Sequence, residues 1–208
     1  AMSGTISPNF HGTHVAGTLA AAIDGKGVVG VCPAVKIMPL AERLGLSRTS
    51  FYWHFPDREA LLAGLLDRWQ AKNTGNLVAR CEAEAATITG AMLNLFDCWI
   101  DPGLFDSRLE FAMRTWSLTD PSVAAAMTQA DDDRIAAITA VFCRFGYPRT
   151  EADARARTLY LTQVGYIVLR SSEDFDARME RIPSYVLTFS GTLPSESEVA
   201  AFRARHIR

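Results

Sequence analysis

Two groups of side chains in this 208-residue chain have types and spacings that could do chemistry. The first is His11 and His14, in "NFHGTHVAGTLAAAIDGKGVVGVCPAVKIMPL" at residues 9–40. An imidazole works as a general base only with a nucleophile in reach, a carboxylate to orient the ring and donors arranged for an oxyanion. No aspartate precedes these histidines, and "SGT" at 190–192 lacks the surroundings of a nucleophilic serine. Histidines three apart also need a further ligand before they hold zinc, and nothing nearby supplies it. His11 is therefore expected to do no chemistry, and no catalytic residue, metal or cofactor is assigned. The second group is Ser47, Arg48, Thr49 and Ser50, followed one turn on by Tyr52, Trp53 and His54. Hydroxyls and a guanidinium at the start of a helix suit phosphates and the edges of bases.

Different elements must position the two groups. Gly4, Gly12, Gly17, Gly25, Gly27 and Gly30 crowd the first 40 residues, where charges are few and "VVGV" and "AVKIMPL" read as loop and buried strand. From Ala41 onward, apolar residues recur at helical spacing between Pro, Gly, Asp and Ser punctuation, which predicts an all-helical protein. Gly45 supplies a left-handed turn, Leu46 plugs a small core and Ser47 caps the helix that follows. Phe51 and Phe55, four apart, face that core. Asp57 is placed to cap the next helix, whose Leu61, Leu62, Leu65, Leu66 and Trp69 form a buried stripe. Further on, Gly146 and Pro148 end one helix and Thr150 is expected to cap the next, whose far end from Val164 to Leu169 is apolar nearly all round. Such a surface is either central in a core or covered by another subunit. Arg155, Arg157 and "DDD" at 131–133 read as solvated faces.

The net charge of -2 excludes a globally basic coat but not a local patch that meets nucleic acid. Cys32, Cys81, Cys98 and Cys143 lie far apart without a CxxC pair and read as reduced core residues. Neither a signal peptide nor a run long enough to span a membrane is seen, so the expectation is a cytoplasmic protein.

Residues 9–40 resemble the subtilisin-like serine peptidases around their catalytic histidine, with His11 at the general-base position. Residues 41–69, "AERLGLSRTSFYWHFPDREALLAGLLDRW", resemble the TetR family of bacterial transcriptional regulators, and the rest of the chain resembles it more loosely. That second resemblance implies a recognition helix entering the major groove by Arg48, Thr49 and Ser50, while Tyr52, Trp53 and His54 meet phosphates and the groove wall. Packed aromatics are the alternative reading of these three. It also implies a cavity for a small apolar effector, with Trp99, Phe111, Met113, Trp116 and Tyr166 as candidates suited to one. An ordinary core is the alternative there. A homodimer through the helices at 151–170 and 174–190 and a double-stranded DNA operator complete the expected partners. The family's long first helix is not recognisable ahead of Ala41, where "HVAGTLAAAI", with Val15, Leu19 and Ile23 four apart, is expected to act as a surrogate.

The expected fold is thus all-α. An atypical glycine-rich segment at 1–40 precedes a helix-turn-helix DNA-binding domain at 41–72 and a helical ligand-binding and dimerisation domain at 73–208. The expected function is a ligand-responsive repressor and not an enzyme. The alternative is an inactive peptidase fragment fused to a ligand-binding helical dimer that has lost DNA binding.

Overall fold

The computed structural model describes residues 55–171 and 173–206, and every regular element among them is helical. In chain order these are α1 (Arg58–Trp69), α2 (Asn76–Glu82), α3 (Ile88–Ile100), α4 (Ser107–Ser117), α5 (Pro121–Arg144), α6 (Arg149–Val168), α7 (Phe175–Ser190) and α8 (Glu196–His206). A π-helical turn, Gln70–Gly75, joins α1 to α2. The all-α expectation is met. Two compact units result, Ala1–Ala71 with Arg108–Met127 and Lys72–Ser107 with Thr128–Arg208. The histidines of the first segment, the surrogate helix and the recognition residues Ser47, Arg48, Thr49, Ser50, Tyr52, Trp53 and His54 all lie outside the described residues.

The sequence explains where the helices begin. Asp57 sits in extended backbone ahead of α1 and accepts from the Ala60 amide at 2.7 Å, as a capping carboxylate should. Ahead of α5, Asp120 accepts from the Ser122 and Val123 amides at 3.0 and 3.3 Å. Hydrogen bonds from the Ser122 hydroxyl and these amides hold its carboxyl below the ordinary value. Thr150 does not cap α6. That helix begins at Arg149 after Pro148, whose fixed φ starts the turn without a side-chain cap.

Along α1, the π turn and α2, every fourth residue is buried: Leu61, Leu65, Trp69, Asn73, Leu77 and Cys81. Four residues of an α-helix overshoot a full turn by about 40°, so such a repeat would wander off its face. The π turn Gln70–Gly75 falls within this repeat, between the buried residues of α1 and those of α2.

In the first unit, the fully buried Trp69 donates its indole N–H to Glu110 Oε2 at 2.6 Å. Glu110 is itself buried, and its other oxygen pairs with Arg114 at 2.9 Å. Leu109, Met113 and Trp116 complete this face of α4.

In the second unit, α3 is the central element and packs against α2, α7 and α8. Asn73 holds the loop before α4 by bonding both the carbonyl and the amide of Asp106, at 3.1 and 2.9 Å. Arg134 of α5 is wholly buried. Its guanidinium donates to Thr74 Oγ1 at 3.0 Å and to the Tyr160 hydroxyl at 2.8 Å, and it lies 5.7 Å from the centre of the Phe105 ring. The Tyr160 hydroxyl donates in turn to Asp131 at 2.6 Å. Asp131 is therefore no solvated charge, although Asp132 and Asp133 beside it are exposed. Arg155 likewise departs from a solvated face: it donates to the Phe189 carbonyl at 2.8 Å and covers the Tyr147 ring.

Helix α8 is tied down at three points. Pro183 inside α7 cannot donate to the Met179 carbonyl, and Arg203 of α8 takes that acceptor at 3.3 Å. Buried Asp97 of α3 meets Arg205 at 3.2 Å and His206 at 2.8 Å, with Arg80 of α2 at 3.5 Å on its other oxygen. Glu198 accepts from Thr87 and Thr89 at the start of α3 and from the Ser195 amide.

Burial pushes the Glu198 carboxyl up, but these hydrogen bonds outweigh it and bring the value from 4.5 down to about 2. A carboxylate with a depressed folded value stabilises the fold above its unfolded value and loses that contribution as pH falls through the folded one. Glu198→Gln should therefore lower the Tm at neutral pH, and the gap to the parent should close between about pH 4.5 and pH 2. A gap that stays constant down to pH 2 in thermal melts would contradict the assignment.

Candidate functional site

A partly open pocket lies within the second unit among α3, α6 and α7. Each helix offers one face at helical spacing: Phe96, Trp99 and Ile100 from α3, Leu159, Thr162, Gln163 and Tyr166 from α6, and Arg178, Ile182, Tyr185 and Phe189 from α7, with Glu173 ahead of α7. The cavity volume is about 40 Å³. Five of the twelve lining residues are aromatic. Phe96 lies 5.7 Å from Trp99 in a tilted pair and 6.5 Å edge-on from Phe189, which stacks on Tyr185 at 6.4 Å.

Polar groups are few and converge on this lining. The Tyr166 and Tyr185 hydroxyls are 2.9 Å apart, and this hydrogen bond, then burial, holds the Tyr185 phenol above its ordinary value. Glu173 is ion-paired with Arg181. Burial pushes the Arg178 guanidinium below its ordinary value, yet a guanidinium stays charged near neutral pH. The Trp99 indole N–H is buried and has no hydrogen-bond partner among the described residues.

Of the cavity residues expected from sequence, Trp99 and Tyr166 meet in this pocket. Phe111, Met113 and Trp116 do not line it: they lie on α4, in the first unit, where Met113 and Trp116 are buried and Phe111 is half-buried. The stripe Arg178, Ile182, Tyr185 and Phe189 is not among the residues expected from sequence, although its spacing of four, three and four is present in "RMERIPSYVLTF".

Among the described residues no helix is long and apolar enough to cross a membrane. No cluster of His, Cys, Asp and Glu there is suited to a metal. Cys81, Cys98 and Cys143 are free, and burial pushes the Cys81 and Cys98 thiols up to about 12, which keeps them inert.

The described residues form an all-helical fold with a pocket in its second unit. Residues 33–65 match the family model for bacterial regulatory proteins of the tetR family. A crystal structure of a TetR-family transcriptional regulator from Mesorhizobium loti MAFF303099 superposes with a TM-score of 0.56 at 16% identity, over 96% of this chain and 98% of that one. Residues 33–65 thus carry the tetR-family match, and the chain as a whole shares the fold of that solved structure. A stretch of 30 residues is also 73% identical to Fervidolysin from Fervidobacterium pennivorans; it takes in 14% of this chain, which spans 4% of that protein's length.

Proposed function

We propose that the chain is a cytoplasmic, ligand-responsive repressor that binds a palindromic operator as a homodimer. The family match at 33–65, which runs through the recognition segment, is the observation that carries this reading. Three parts divide the work: an atypical segment at 1–40, a DNA-binding domain at 41–72 and a regulatory and dimerisation domain at 73–208. Arg48, Thr49 and Ser50 enter the major groove behind the Ser47 cap, and Tyr52, Trp53 and His54 hold the phosphates. Exposed Leu161 and Val168 of α6 and Leu169 just after it, with Phe175 and Leu187 of α7, supply the apolar face that a second copy would cover. A small apolar effector in the pocket of α3, α6 and α7 alters the separation of two recognition helices. These must sit about 34–36 Å apart to reach successive major grooves.

Selection from random duplex DNA should enrich a two-fold site, with both half-sites needed for a full gel shift. Arg48→Ala, Thr49→Ala and Tyr52→Ala should each weaken binding by about 1–3 kcal/mol, with less dependence on sequence where the lost contact is to phosphate. Equal affinity in all three variants would remove the recognition assignment.

The short identity to Fervidolysin favours a second reading, in which an inactive peptidase fragment is joined to a ligand-binding helical dimer that has lost DNA binding. The same selection separates the two, since that protein would enrich no site.

A further inference from the structure

We propose that the pocket of α3, α6 and α7 takes a small carboxylic acid with an aromatic or branched apolar body, its carboxylate held by Arg178. This rests on the effector-responsive reading above and narrows it from an apolar molecule to an amphiphilic acid.

The polar groups of the lining are unequal in what they have left to give. Among the described residues, the Arg178 side chain makes no hydrogen bond or ion pair, while the nearest acidic group in the lining, Glu173, is engaged by Arg181. A half-buried guanidinium without an anion is unfavourable, and its planar fork matches a carboxylate with two parallel hydrogen bonds. Tyr166 and Tyr185 share one hydrogen bond, so one of their two O–H groups remains free to donate. The buried Trp99 N–H is a further donor that lacks an acceptor. A lining whose unused polar capacity is donors around a cation selects a ligand rich in acceptors. Phe96, Trp99, Ile182 and Phe189 leave the rest of the guest an apolar seat.

Size adds a consequence. A cavity of about 40 Å³ is smaller than the roughly 150 Å³ of an engineered cavity that binds benzene. A ring-sized acid must therefore spread α3, α6 and α7, and binding of that kind shifts a conformational equilibrium.

The test titrates the full chain with a panel of aryl and branched alkyl carboxylates, each beside its own primary amide, by calorimetry and by the fluorescence of the tryptophans. Acids should bind at least about tenfold tighter than their amides to the parent, the worth of a hydrogen bond to a charged group. That advantage should fall to parity in Arg178→Met, with circular dichroism confirming that the variant is folded. If Arg178→Met does not fold, Arg178→Gln, which keeps donors but not charge, should show the same loss. Acids and amides that bind alike to parent and variant would overturn the acid and leave the apolar effector standing. An acid preference that survives in both Arg178 variants would overturn the assignment to this pocket. No binding by either set, with the DNA complex unmoved, would overturn both readings.

Discussion

Arg134→Met is expected to lower the unfolding free energy by about 3–5 kcal/mol, the usual effect of removing one member of a buried charge cluster. The side chain is fully buried and engages Thr74, Tyr160, Phe105 and Asp131. Without the guanidinium, Thr74 loses its donor, the Phe105 ring loses its cation, and Asp131 keeps only the Tyr160 hydroxyl among the partners described above. The loss comes from what is left behind rather than from the pair itself. A triple variant with Asp131→Ala and Tyr160→Phe added should therefore recover much of it, because a matched apolar set avoids the desolvation penalty altogether. Urea unfolding of the single and triple variants checks both parts. A single-variant loss below about 1 kcal/mol would show that water reaches the site and screens it.

Glu110→Ala should destabilise on a similar scale, about 3–5 kcal/mol, because it leaves the Trp69 indole N–H without its acceptor and Arg114 without its carboxylate. Glu110→Gln keeps an acceptor for the indole but removes the charge, so it should fall between the parent and the alanine variant. A quenching or shift of Trp69 emission in the folded alanine variant would report the indole directly. Equal stability for the alanine and glutamine variants would mean that the indole bond contributes nothing.

The helices with a marked cap and an apolar stripe were legible in the sequence. Asp57 and the leucines after it announce α1, and Gly146 with Pro148 announces the break between α5 and α6. Helix α8 was not legible, because Phe202 is its one buried residue among the described ones and a polar helix leaves little periodic trace. The π turn hid for a different reason: a four-residue apolar repeat looks helical whether or not the backbone widens to accommodate it. Asp131 was misjudged because its neighbours in sequence are acidic and exposed, while the groups that engage it, Arg134 and Tyr160, are brought together only by the packing of α5 on α6. Of the residues chosen by type, Trp99 and Tyr166 line the pocket of the second unit, while Phe111, Met113 and Trp116 lie in the first unit. Arg178 is a charged residue on an otherwise apolar stripe, which residue type alone does not flag. The match at 33–65 also begins at Pro33, so text that reads as a peptidase strand falls partly within the regulator's model.

The cluster at Asp97 has a bearing on how the chain is made. Asp97 and Arg205 are separated by 108 residues, which at about 5–20 residues per second is a delay on the order of ten seconds of synthesis. During that interval, among the described residues, α3 has Arg80 from the α2 already made to set against a carboxylate destined for burial. Thr87 and Thr89 wait about as long for Glu198, and the Met179 carbonyl waits a shorter time for Arg203. The second unit therefore completes its polar contacts around α3 only when α8 arrives. A chain truncated before residue 196 should therefore leave the Asp97 carboxylate with Arg80 as its partner among the described residues, and be less stable than the full chain.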